Sequence, residues 1–83
     1  MLTPSDKAIQ NEKGFYFDPE GGLSADFNKK FKKTKYRCCL VFNQDKKPKT
    51  YLLTYKNEPI FSDNCIETIW YRAQALIYIN NKK

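Results

Sequence analysis

Eighty-three residues leave room for one domain with one modest core, since a chain this short buries only about 60–65% of the surface its unfolded state exposes. A hydrophobic content of 41%, with 16% aromatic residues, is too rich for a disordered tail, and large rings compensate for small size. The charge is +6 with no histidine, which removes the commonest general base and the Ser–His and Cys–His nucleophile pairs.

The chain opens with Thr3, Pro4, Ser5 and Asp6, a helix-start pattern of capping Thr, Pro in the first turn and an acidic residue, with Gly14 as a stop signal. Its only apolar residues are Ala8 and Ile9, so residues 1–14 are expected as an N-terminal arm or a short helix, and 15–83 as a single α+β domain. Phe15, Tyr16 and Phe17 favour a strand. The turn residues Asp18, Pro19, Glu20, Gly21 and Gly22 follow. After them Leu23, Ala25 and Phe27 alternate like a returning strand, whereas Leu23, Phe27 and Phe31 are spaced by four like a helix; the turn favours the hairpin.

Residues 36–42 make the strongest strand, with Tyr36, Cys38, Leu40 and Phe42 on one face and Arg37, Cys39 and Val41 on the other. A polar loop at 43–49 leads to a second strand at 50–56, an antiparallel hairpin. Asn57, Glu58 and Pro59 turn the chain, and Ile60 and Phe61 add a short extended piece. A helix is expected over 63–79, with Asn64 and Glu67 at capping-box spacing and a stripe of Ile66, Ile69, Trp70, Ala73, Leu76 and Ile77. The predicted fold is therefore α+β: a small antiparallel sheet of three to four strands with this C-terminal helix packed on one face.

Charge is concentrated along the chain. Residues 1–28 carry two basic against five acidic side chains, or −3, and residues 29–49 carry nine against one, or +8. Residues 50–83 add four against three, or +1. Crowded like charge disfavours a compact state until a counter-charge arrives, which points to a polyanionic partner. Lys29, Lys30, Lys32, Lys33, Lys35 and Arg37, with Lys46, Lys47 and Lys49, are the candidate nucleic-acid contacts. Lysine outnumbers arginine, a preference suited to backbone attraction rather than base-edge reading. Phe31, Tyr36, Tyr51 and Tyr55 lie among these cations, although Phe31, Tyr36 and Phe42 fit a core better than a stacking platform.

A second candidate surface, for protein, comprises Tyr71, Arg72, Ala75 and Tyr78 on the face of the last helix away from its apolar stripe, and it allows a homodimer. Cys38, Cys39 and Cys65 are odd in number and lack C-x-x-C spacing, which suits free thiols in a reducing, cytoplasmic setting and gives no metal site. The carboxylates sit in turns and caps, and no Gly-rich phosphate loop, signal segment or membrane span is present, so no enzyme activity, cofactor or membrane association is expected. The reading is a small basic protein that binds RNA or single-stranded nucleic acid with weak sequence specificity. The alternative is a phage- or mobile-element-type accessory protein, antitoxin-like, that binds and inhibits a host enzyme such as a nuclease or a defence or toxin protein.

Overall fold

The computed structural model describes residues 3–81. Its elements are β1 (Ile9–Gln10), β2 (Tyr16–Asp18), α1 (Ser24–Lys30), β3 (Tyr36–Phe42), β4 (Pro48–Tyr55), β5 (Glu58–Asp63) and α2 (Ile66–Asn81). The strands form one open antiparallel sheet in sequential order. The α+β class stands, while the sheet has five strands rather than three or four.

Two segments differ from expectation. Residues 24–30 form a helix, α1, with Leu23 and Phe31 at its two caps, not the return strand of a hairpin. The spacing by four prevails because Phe27 and Phe31 stack at 4.4 Å and both meet Trp70 of α2 edge-on, at 5.6 and 5.3 Å. A strand would have sent Phe27 and its neighbours to opposite faces. The turn before it is tight: the Gly21 N–H donates to the Asp18 carbonyl and the Ser24 N–H to the Gly21 carbonyl. Gly22 sits at φ +55°, with the Tyr51 hydroxyl where a side chain would project, and that hydroxyl accepts the Leu23 N–H at 3.2 Å.

Between Thr3 and Lys13 no helix forms; Ile9 and Gln10 pair with Phe17 and Tyr16 instead. Two adjacent apolar residues cannot make a helical stripe, whereas Asn11 makes a good turn. Its side-chain oxygen accepts the N–H groups of Lys13 and Phe15, and Gly14 takes φ +92°. Ser5 fastens the preceding stretch by donating its N–H and hydroxyl to the buried Asp18 carboxylate, at 2.8 and 2.7 Å.

β3 and β4 form the expected antiparallel hairpin, from Tyr36 opposite Tyr55 to Phe42 opposite Pro48 with a bulge near the loop, but β4 spans 48–55 rather than 50–56. The β4–β5 turn is Lys56 and Asn57, both at positive φ, so Glu58 and Pro59 already belong to β5. Two such residues match the turn type that best continues strand twist. α2 runs 66–81 rather than 63–79: Asp63 is drawn into β5, and its carboxylate, not Asn64, accepts the Cys65 N–H at 2.8 Å.

Both helices cover one face of the sheet. Phe27, Phe31, Tyr36, Cys38, Leu53, Ile69 and Ala73 form the core between layers. Strand alternation sends Phe17, Cys39, Val41, Thr50 and Leu52 to the other face, which carries no helix.

Candidate functional site

The short strand β2 stops opposite Leu40, so the backbone groups of Tyr36 and Cys38 on that edge of β3 need other partners. Asn28 on α1 supplies them for Cys38: its amide nitrogen donates to the Cys38 carbonyl at 2.8 Å and its oxygen accepts the Cys38 N–H at 2.7 Å. The same nitrogen reaches the Pro19 carbonyl at 2.9 Å. One side-chain amide thereby continues the ladder and ties together the β2 exit, α1 and β3.

Arg37 completes this edge. Its Nη1 lies 2.6 Å from the Tyr36 carbonyl, 2.7 Å from that of Thr34 and 3.0 Å from that of Phe31, while Nη2 donates to the Lys32 carbonyl at 3.1 Å. The guanidinium holds its donors in a rigid plane, so it fixes these carbonyls in one geometry where a flexible ammonium would not. The guanidinium caps the carbonyl end of α1 and fixes the loop to β3. Arg37 is thus committed to the loop that carries the lysines, a role signalled by its being the one arginine among them.

With the loop held, Lys29, Lys30, Lys32, Lys33 and Lys35 all project as exposed side chains. Lys56 joins them through the turn, since its N–H donates to the Lys35 carbonyl at 3.2 Å. The second group stands at the far end of the β3–β4 ladder. Asn43 organises its loop by accepting the N–H groups of Asp45 and Lys47, and Lys46, Lys47 and Lys49 are exposed. The Gln44 amide donates to the Lys13 carbonyl at 2.6 Å, adding exposed Lys13 to this end. Lys49 extends over the ring of Phe15, 4.7 Å from its centre. Seven residues of β3 separate the two groups, about 20 Å. Lys56 and Lys13 escaped the sequence reading; a Lys-Asn turn between strands could have flagged the first, whereas the second depends on a contact 31 residues away.

The aromatic residues among the cations belong to the core side. Phe31 and Tyr36 are buried, Phe42 is fully so, and Tyr51 and Tyr55 pack against the core between sheet and helices. Tyr36 and Tyr55 face each other across the ladder at 4.7 Å, and Asn80 donates to the Tyr36 hydroxyl at 3.4 Å. Burial, with Tyr55 nearby, pushes the Tyr36 phenol above its usual range.

No family model, curated protein or solved structure matches this chain. The site therefore has to be read from its own geometry.

On α2, Tyr71, Arg72, Ala75 and Tyr78 are all exposed, Tyr71 at 69% and Tyr78 at 57%. Ile79, at 58%, extends this stripe. Arg72 leans toward β5 with its guanidinium 4.4 Å from the centre of the Phe61 ring. Beside Tyr71 a shallow groove of about 480 Å³ runs between the helices, lined by Leu23, Ile66 and Trp70 and edged by Asp26 and Glu67.

The cysteines are free: Cys38 buried, Cys39 half-buried and Cys65 exposed. Burial raises the Cys38 thiol to about 11, against weaker opposing contacts from Ser24 and Leu52. Burial raises Cys39 to about 12, with the neighbouring Cys38 and Asp18 adding to the effect. Among the described residues no cluster of three metal-ligating side chains occurs, and no helix is long and apolar enough to cross a membrane.

Proposed function

We propose that this protein is a non-catalytic binder of RNA or single-stranded nucleic acid that attracts the phosphate backbone through two groups of lysines. The observation that carries this reading is the pair of exposed clusters, Lys29–Lys30–Lys32–Lys33–Lys35 and Lys46–Lys47–Lys49, at opposite ends of one rigid ladder. Close positive charges lack a structural use in the core, and each gains when a phosphate releases its counterions. Lysine ammonium groups act as point charges, so binding is weakly sequence-specific and steeply salt-dependent. Arg37 contributes by positioning the first cluster.

The test is binding of a fluorescent oligoribonucleotide to wild type and to a variant with Lys29, Lys30, Lys32 and Lys33 changed to Glu. The expected outcome is a loss of at least tenfold in affinity at moderate salt; equal binding by the two proteins refutes the reading. All four side chains are exposed, so the variant keeps its core.

A second reading rests on the exposed stripe of Tyr71, Ala75, Tyr78 and Ile79, which suits a protein partner because tyrosine is enriched in interface cores. It corresponds to an accessory protein that binds and inhibits an enzyme. A stoichiometric, nuclease-resistant complex lost on Tyr71→Glu would favour it over the first.

A further inference from the structure

We infer that the helix-free face of the sheet is a stacking surface for bases, which makes the ligand a single strand rather than a duplex. This inference rests on the nucleic-acid reading and assigns a chemistry to a surface outside the lysine clusters. Residues at alternate positions of β2, β3 and β4 place Phe17, Val41 and Thr50 in one row across this face and Cys39 and Leu52 in the next. Phe17, Thr50 and Leu52 are half-buried on the face away from α1 and α2, and Val41 beside Phe17 is buried. Phe15, two residues before Phe17, is also half-buried and carries the Lys49 ammonium over its ring.

Charge decides the occupant. The apolar rows lie on the β3–β4 ladder, whose two ends carry the lysine groups. No carboxylate shares their register: Asp18 stands opposite Leu40, Asp63 opposite Tyr51 and Glu58 opposite Tyr55, all on the helix side. A second copy laid face to face would bring like charge against like charge at both ends. A duplex would offer phosphates to the lysines but keep its bases stacked within itself, leaving Phe17 and Leu52 uncovered. A single strand satisfies both features, with phosphates on the lysines and flat base faces on rings and aliphatic side chains. Lys49 then serves two states, resting on Phe15 in the free protein and turning to a phosphate when a base takes its place.

The experiment compares oligouridine 12-mer with a 12-base-pair RNA duplex, using wild type, Phe17→Ala and a Lys29/Lys30/Lys32/Lys33 to Glu variant. The expected result is tighter binding of the single strand by wild type, a loss of about tenfold for Phe17→Ala on the single strand alone, and loss of both ligands for the lysine variant. NMR of unaltered protein guards against a folding defect: oligouridine should shift the Phe17, Leu52 and Thr50 signals and leave Ile69 and Ala73 unmoved. If the lysine variant loses binding while those face signals stay fixed, the inference fails and the nucleic-acid reading survives. Absence of binding to either ligand overturns both. Concentration-dependent shifts of the same face without nucleic acid would assign it to a second copy and overturn the inference alone.

Discussion

At the residue scale, the most consequential side chain is one of modest size and no charge. Asn28 supplies both partners of the Cys38 backbone, and an unmet buried backbone group costs about 1–3 kcal/mol. Asn28→Ala should therefore lower unfolding free energy by about 2 kcal/mol or more in urea melts. Asn28→Asp should be no better, because it forfeits the donor to the Cys38 and Pro19 carbonyls; a wild-type midpoint for Asn28→Asp would contradict this role. The cysteines make a second residue-scale case. At pH 8 a thiol reagent should label Cys65 rapidly, with Cys38 and Cys39 following only on unfolding, since thiolate is the reactive form. Their raised pKa values also set a sign for stability. Between the ordinary value of 9.0 and about 11–12 the unfolded chain binds fewer protons than the folded one, so stability falls as pH rises through that window. Their contribution is fully present below pH 9.0. Urea midpoints taken from pH 8 to 11 check this, and Cys39→Ala should flatten the decline.

At the scale of elements, the long pattern-rich segments were legible in the sequence. β3 occupies the expected residues because its alternation of apolar side chains extends over seven positions, and α2 carries a stripe long enough to define its face. The strand expected after the turn gives way to α1 because Leu23 and Phe27 fit both periods, Ala25 completing the strand pattern and Phe31 the helical one; the contact that decides between them, Phe27 and Phe31 on Trp70, spans some forty positions of chain. β1 was missed for a similar reason, since two residues carry no period and their pairing depends on the Asn11 turn. The β4–β5 turn offers a test of element-level reasoning. Lys56 and Asn57 both hold positive φ, which Asn and Gly tolerate at less cost. Replacing them with Asn and Gly should stabilise the protein by about 0.5–1 kcal/mol. An unchanged or lower melting point would show that the Lys56 side chain over Tyr55 outweighs the backbone strain.

At the scale of the molecule, the sheet separates two environments: a helix-covered face that holds most of the core, and a face without helices on which Phe17, Thr50 and Leu52 are half-buried over a buried Val41. The charge pattern of the sequence located both lysine groups, and hairpin geometry put them at opposite ends. It could not show that Arg37 turns inward to hold the loop, nor that Phe31, Tyr36, Tyr51 and Tyr55 all face the helices, because side chains two strands apart in space are remote in sequence. The proposed stacking role therefore passes from those rings to Phe15, Phe17 and Leu52. The central claim is that both lysine groups engage one nucleic-acid strand, and the salt dependence of binding tests it most directly. For a single strand the slope of log affinity against log salt is about −0.7 for each phosphate neutralised. Changing Lys46, Lys47 and Lys49 to Glu should make the slope for oligouridine shallower by about two units, and changing Lys29, Lys30, Lys32 and Lys33 by about three. A slope that responds to one group and ignores the other would contradict the shared strand, and a slope near zero in wild type would contradict phosphate recognition altogether.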